Sequence, residues 1–333
     1  MRVMSEPVCY ITDFWTGAVD VEQAALDGAA RVVALGAAHE SELLPRVRDA
    51  AALLVWHEIR IPAAVIDALA DCKAIVRVGV GFDNVDLASA RRRGIPVCNV
   101  PDYGTEDVAD HALALMLALV RNLPEFASDL RAAPPRWDAR HCPRTPRLRG
   151  MVFGVVGLGR IGSATALRAR AFGMDVVAFD PYIPDGRDKA LGVRRAETLP
   201  ELLAQSHVVS LHTPLTAETR SLIDAAALAH FKRGAILLNT ARGPVCDTRA
   251  VLAALESGVL GGAGLDVLPV EPPATDDPLL AAHRTPGHIA HHRCVLTPHS
   301  AFYTEEGFVE MRRKAAQEAR RAIRGERLRN AVG

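Results

Sequence analysis

The stretch Val155–Asp180, "VVGLGRIGSATALRARAFGMDVVAFD", constrains the fold more than any other part of the chain. An apolar run leads into Gly157, Gly159 and Gly162 in the pattern G-x-G-x-x-G. A helix-like segment follows, then a second apolar run that stops at Asp180. A lone glycine triplet is a weak signal. Set between a strand and a helix, it predicts a βαβ unit with a tight turn at Gly157, close backbone approach at Gly159 and close helix–strand packing at Gly162. The amides around Arg160 and Ile161, at the helix start, would receive a pyrophosphate. A carboxylate at Asp180 accepts hydrogen bonds from ribose hydroxyls and repels a 2′-phosphate, so NAD is expected rather than NADP.

The surrounding sequence repeats that alternation. "CYITDF", "RVVALG", "AALLVW", "AIVRVGV" and "GIPVCNVP" read as strands in the first hundred residues, separated by helical segments such as "PAAVIDALA". From Met151, "MVFGVVG", "DVVAFD", "HVVSLH", "AILLNT", "GGAGLDV" and "RCVLTPH" give six further strands. Strands alternating with helices imply parallel sheets with helical crossovers. Thr105 is placed to cap a helix through Val120 that is apolar on nearly all sides apart from Asp110 and His111, so it should be buried between domains or against a partner subunit. "RAAPPRWDARHCPRTPRLRG" (Arg131–Gly150) reads as a surface connection. The segment from Glu305 reads as one long amphipathic helix with a solvated basic face.

Composition excludes several function classes. With 39 basic and 39 acidic residues, the 333-residue chain has formal net charge zero, which offers nothing to nucleic acid or an anionic membrane. Six scattered cysteines without a C-x-x-C pair fit free thiols in a reducing compartment. No long apolar signal or membrane-length segment is present, so a cytoplasmic enzyme is expected. His283, His288, His291 and His292 cluster in sequence, but no cysteine or carboxylate completes a ligand spacing, and no metal is expected there.

"LLNTARGPVCD", "GLDVLPVEP" and "LTPHSAFY" resemble the three signatures of the D-isomer-specific 2-hydroxyacid dehydrogenases. "RVGVGFDNVD", "VCNVP" and "ALRARAFGMDVVAFDPY" look closest to the C-terminal-binding protein branch, in which the dehydrogenase fold serves as an NAD-binding corepressor. The resemblance covers nearly the whole chain. It implies an α/β protein of two doubly wound parallel-sheet domains: a Rossmann-type cofactor domain (104–298) inserted in a flavodoxin-like substrate domain (1–103 with 299–333). It also implies a homodimer through the cofactor domain.

The family triad falls on Arg242, Glu271 and His299. The chemistry fits these residue types. Reduction of a 2-keto acid needs a hydride, a proton, a cation on the carbonyl and a grip on the carboxylate. His299 can carry and release the proton near neutral pH. Glu271 can bond its far ring nitrogen and stabilise the imidazolium. Arg242 presents a planar fork of donors to the keto oxygen and carboxylate together. The interval between Glu271 and His299 is longer than the family pattern, the excess falling in "DPLLAAHRTPGHIAHHRC".

For the substrate carboxylate, the amides of Val80 and Gly81 can cradle an anion. By resemblance to the C-terminal-binding branch, Arg77 is a second cation at the substrate, and Phe302 stands where that branch has tryptophan. Loop shapes around Tyr103, Arg77 and Phe302 would select the substrate's side chain. The same carry-over puts Thr105 near the cofactor's phosphate or ribose, His212, Thr213 and Pro214 on the adenine side, Thr240 and Ala241 on the nicotinamide side, and Asp266 on the nicotinamide amide. The expected activity is NAD-dependent interconversion of a small 2-keto acid and its D-2-hydroxy acid. The alternative is an NAD-responsive scaffold of the C-terminal-binding type, against which stands the absence of a long polar tail before Gly333.

Overall fold

A computed structural model of the protein describes residues 6–142 and 145–332. The chain forms two compact units: residues up to Gly104 with those from Tyr303 onward, and Thr105–Phe302.

In the first unit the chain runs β1 (Val8–Ile11), α1 (Asp20–Leu26), β2 (Arg31–Ala34), β3 (Ala50–Val55), α2 (Ala63–Ala68), β4 (Ala74–Arg77), α3 (Leu87–Arg92) and β5 (Val97–Cys98). The second unit contributes α4 (Thr105–Val120), α5 (Leu123–Arg131), β6 (Val152–Val156), α6 (Arg160–Ala171), β7 (Asp175–Phe179), α7 (Arg187–Leu191), β8 (Arg194–Arg195), α8 (Leu199–Gln205), β9 (Val208–Leu211), α9 (Ala225–Leu228), β10 (Ala235–Asn239), α10 (Thr248–Glu256), β11 (Leu260–Leu265), α11 (Pro278–Arg284), α12 (Ile289–Arg293) and β12 (Cys294–Leu296). The chain then returns to the first unit with α13 (Glu305–Ile323) and β13 (Ala331–Val332).

The first sheet has the order β13-β5-β4-β3-β1-β2, parallel except for β13. Without that edge strand it is the 2-1-3-4-5 order of flavodoxin-like sheets. The antiparallel β13 was not expected from the sequence, where two residues after a long helix carry no periodicity. α13 packs on α1 and the sheet. The contact is pinned by the buried Arg312, whose Nε and Nη2 donate to the two oxygens of Glu22 at 2.6 Å each. The same guanidinium lies 4.1 Å from the centre of the Trp15 ring.

The second sheet is parallel throughout, in the order β12-β11-β10-β9-β6-β7-β8. This is the doubly wound dinucleotide-binding order extended by one strand. Both faces are covered, so its strands read as continuous apolar runs rather than alternating ones. Leu202, Leu203, Val251 and Leu255 pack on one face; Leu113, Met116, Leu119, Ala166 and Ala169 on the other. Two elements differ from the sequence reading. The two-residue β8 makes seven strands rather than six, and α5 precedes the irregular connection from Ala132.

α4 also departs from expectation. Its apolar residues are buried against α6 and the sheet of its own unit. A partner is therefore not needed to explain its all-round apolarity: a helix packed against both a neighbouring helix and a sheet face has little solvated surface. Thr105 is its first residue rather than the residue before it. Among the described residues, no helix is long and apolar enough to cross a membrane.

Candidate active site

The glycine turn follows β6. Gly157 has φ +92°, a left-handed conformation that side chains disfavour. A Cβ on Gly162 would lie 2.0 Å from the Gly157 carbonyl oxygen, so only glycine lets α6 start this close to the strand. Gly159 is different: nothing among the described residues lies within 4 Å of its missing Cβ. The amides of the first turn of α6, at Arg160 and Ile161, adjoin this open approach. Asp180 braces the turn, since its Oδ2 accepts from the Leu158 amide at 2.8 Å and its Oδ1 from the Tyr182 amide at 2.9 Å.

Across the carboxyl ends of the strands, β9 leads to His212, Thr213 and Pro214, and β10 leads to Thr240, Ala241 and Arg242. The hydroxyls of Thr213 and Thr240 are buried with no hydrogen-bond partner among the described residues. Burial pushes the His212 imidazole down to about 3, so it is neutral; its Nε2 lies 2.9 Å from Ser210 Oγ. The open glycine turn and two orphaned hydroxyls at the strand ends fit a dinucleotide, which would satisfy polar atoms that otherwise carry a desolvation penalty.

Asn239 clamps the turn after β10. Its Oδ1 accepts from the Ala241 amide at 3.0 Å and its Nδ2 donates to the Arg242 carbonyl at 2.9 Å. Gly243 then meets the chain after β11 so closely that a Cβ would lie 1.9 Å from the Leu268 carbonyl carbon. That approach brings the Arg242 turn beside the loop carrying Glu271. Glu271 Oε1 accepts from the Leu268 amide at 2.8 Å, and Oε2 lies 2.7 Å from His299 Nδ1. Burial alone would raise the Glu271 pKa. The His299 hydrogen bond and charge, the Leu268 amide and the Arg242 charge outweigh it and hold the carboxyl below its usual range.

His299 has φ +52°, a left-handed conformation without glycine. Such a residue costs roughly 1–2 kcal/mol and persists only where its surroundings over-determine it. Here the surroundings are Asp266. Its carbonyl accepts the His299 amide at 2.7 Å, and its buried carboxylate accepts Ser300 and Ala301 amides at 2.8 and 3.0 Å and the Thr297 hydroxyl at 2.6 Å. His111 of α4 completes the network, with Nε2 at 3.0 Å from Thr297 Oγ1. Three internal donors thus occupy the carboxylate assigned to the nicotinamide amide. Phe302 stands edge-on to the imidazole, ring centres 6.0 Å apart.

The other expected residues lie in the first unit. Arg77, at the end of β4, is buried, and its guanidinium turns back on the Val78 carbonyl. Val80 and Gly81 follow, with the Val80 carbonyl accepting from Asn99 Nδ2 at 2.7 Å. Tyr103 is buried. Two of the histidines near α12 have local partners: His288 Nδ1 accepts the Ala290 amide at 3.1 Å, and His291 Nδ1 lies 2.8 Å from the His283 carbonyl.

Sequence reading missed His111 and Thr297 as supports of His299. The available signal was a polar residue inside an otherwise apolar helix.

Residues 113–301 match the family model for the NAD-binding domain of the D-isomer specific 2-hydroxyacid dehydrogenases. The chain belongs to that family, and this part of it is an NAD-binding domain. It is 37% identical over 300 residues to D-3-phosphoglycerate dehydrogenase of Methanocaldococcus jannaschii, covering 90% of this chain and 55% of that protein. The chain thus spans about half the length of the curated relatives it matches. The TT0316 protein from Thermus thermophilus is similar in structure with TM-score 0.85 and 36% identity, over 98% of this chain and 100% of that one. D-Lactate dehydrogenase from Aquifex aeolicus, complexed with NAD and lactic acid, matches with TM-score 0.84 and 29% identity over 96% of each chain.

Proposed function

We propose that the protein interconverts a small 2-keto acid and the corresponding D-2-hydroxy acid with NAD. The observation that carries this reading is the left-handed His299, its imidazole backed by the Glu271 carboxylate at 2.7 Å. A scaffold has no physical need to hold a strained histidine against a carboxylate. A bound nicotinamide would supply or accept the hydride at the substrate's C2. Arg242 polarises the keto oxygen and holds the carboxylate through its fork of donors. His299 delivers the proton from Nε2 to that oxygen, while Glu271 holds Nδ1 and stabilises the charged ring until the transfer. In the reverse direction the imidazole takes the hydroxyl proton.

In this reading the Thr105–Phe302 unit holds the cofactor. Its contacts include Thr105, Gly157–Gly162, Asp180, His212–Pro214 and Thr240–Ala241. The other unit binds substrate through the Val80 and Gly81 amides, Arg77 and Tyr103. Phe302 forms an aromatic wall beside the imidazole. The two relatives named as dehydrogenases support this class of reaction. Exposed Leu123, Leu130 and Trp137 in the cofactor-binding unit support a homodimer formed through it.

The test is a panel of 2-keto acids with NADH, following loss of the reduced nicotinamide's absorbance. Turnover that falls about 10²–10⁴-fold in His299→Ala supports the assignment. Tight NADH binding with every keto acid inert would instead favour an NAD-responsive scaffold.

A further inference from the structure

α5 places Glu125 and Asp129 one turn apart on one face. The chain leaves the helix and comes back with His141 and Cys142 beside it. A carboxylate oxygen of Glu125, a ring nitrogen of His141 and the Cys142 sulfur all lie within 4.8 Å of one another. From these positions we propose that Glu125, His141 and Cys142 form a binding site for a zinc-like divalent cation, separate from the dehydrogenase chemistry.

Two observations carry this beyond mere proximity. First, His141 Nδ1 lies 2.5 Å from the Asp138 carbonyl. A carbonyl only accepts, so Nδ1 carries a proton, and Nε2 is the ring nitrogen that faces the cluster. A carbonyl behind the ring is the usual orienting partner of a metal-bound histidine. Second, Nε2 lies 3.6 Å from Cys142 Sγ. Two ligands at about 2.1 Å (nitrogen) and 2.3 Å (sulfur) from a tetrahedral zinc stand about 3.5 Å apart. Asp129 Oδ2 is buried and pairs with Nε2 at 2.5 Å. At that range a proton lies between them, and a cation taking Nε2 displaces it, since nitrogen and oxygen ligands of a tetrahedral ion stand about 3.3 Å apart.

The neighbouring Arg293 supplies no donor to these groups. Its donors are directed at the carbonyls of Gly261 and Leu119 and at Asn122 Oδ1. Cysteine, histidine and carboxylate together suit a borderline-soft ion and not magnesium or calcium, which take oxygen donors. The bound ion would tie the connection after Ala132 to α5.

The test uses the full chain, stripped with a chelator and titrated with Co²⁺ alone. The expected result is one equivalent bound, with a sulfur-to-cobalt charge-transfer band and the intense visible bands of tetrahedral cobalt, both displaced by Zn²⁺. Cys142→Ser abolishes the charge-transfer band, and Glu125→Gln and His141→Ala each weaken binding at least about tenfold. The wild-type melting temperature rises with Zn²⁺, and that of Cys142→Ser does not. X-ray absorption of the zinc-loaded wild type, which needs no variant to fold, should show one sulfur at about 2.3 Å. A zinc shell without sulfur overturns the proposal. So do a charge-transfer band that survives Cys142→Ser and binding lost only in His291→Ala.

Discussion

His299 Nδ1 stands 2.7 Å from Glu271 Oε2 across a 28-residue interval of sequence, and the histidine reaches that position with φ +52°. Glu271 is held below the ordinary carboxylate range, so it contributes stability above its unfolded value and loses it as pH falls through the folded one. The melting temperature of Glu271→Gln should therefore lie below wild type near neutrality, and the gap should close as pH falls below 4.5. A gap constant from neutral to acid pH would refute the pairing. Turnover in Glu271→Gln should fall about 10²-fold.

Two alanine substitutions separate folding from cofactor binding. Gly162→Ala drives a methyl to 2.0 Å from the Gly157 carbonyl and should lower thermal stability. Gly159→Ala meets nothing within 4 Å among the described residues and should leave the melting temperature unchanged while weakening NADH binding, read by quenching or calorimetry. Equal NADH affinity in Gly159→Ala and wild type would mean the diphosphate binds elsewhere.

Asp180 has a second job beside the one assigned to it, bracing the Leu158 amide. Asp180→Ala should cut the preference for NAD over NADP by about tenfold or more, because a charged acceptor and its repulsion of a 2′-phosphate are both lost. Unchanged discrimination in steady-state kinetics with each cofactor would remove Asp180 from the ribose site.

Asp266 offers a sharper choice. Asp266→Asn replaces an acceptor with a donor against the Ser300 and Ala301 amides or the Thr297 hydroxyl. If the carboxylate mainly sets the His299 turn, kcat falls about 10- to 100-fold with NADH affinity nearly unchanged. Loss concentrated in NADH affinity would return it to the nicotinamide.

In the other unit, Arg312→Ala strands the buried Glu22 carboxylate without its two 2.6 Å donors. Removing one partner of a buried pair costs about 3–5 kcal/mol. Chemical denaturation should report a loss of that order; a change under about 1 kcal/mol would place the pair among ordinary surface bridges.

The amino-acid sequence by itself determined the α/β class, every strand but β8 and β13 as an apolar run between helices, and the glycine turn. Those features are local: period, turn chemistry and glycine spacing are written within a few residues of where they act. The motifs also made Arg242, Glu271 and His299 nameable as residue types. It took the tertiary structure to decide which acceptor each donor meets. The family resemblance puts Asp266 on the nicotinamide amide; folding also turns its oxygens to residues 297–301. His111 is an oddity in an apolar helix until α4 brings it to Thr297. The convergence of Glu125 and Asp129 with His141 and Cys142 carries no spacing signature, because an irregular connection closes it. The physical reason is common to all three. Periodicity reports the surface a residue faces, whereas the hydrogen bonds and charges that define chemistry depend on distances set only when remote segments pack.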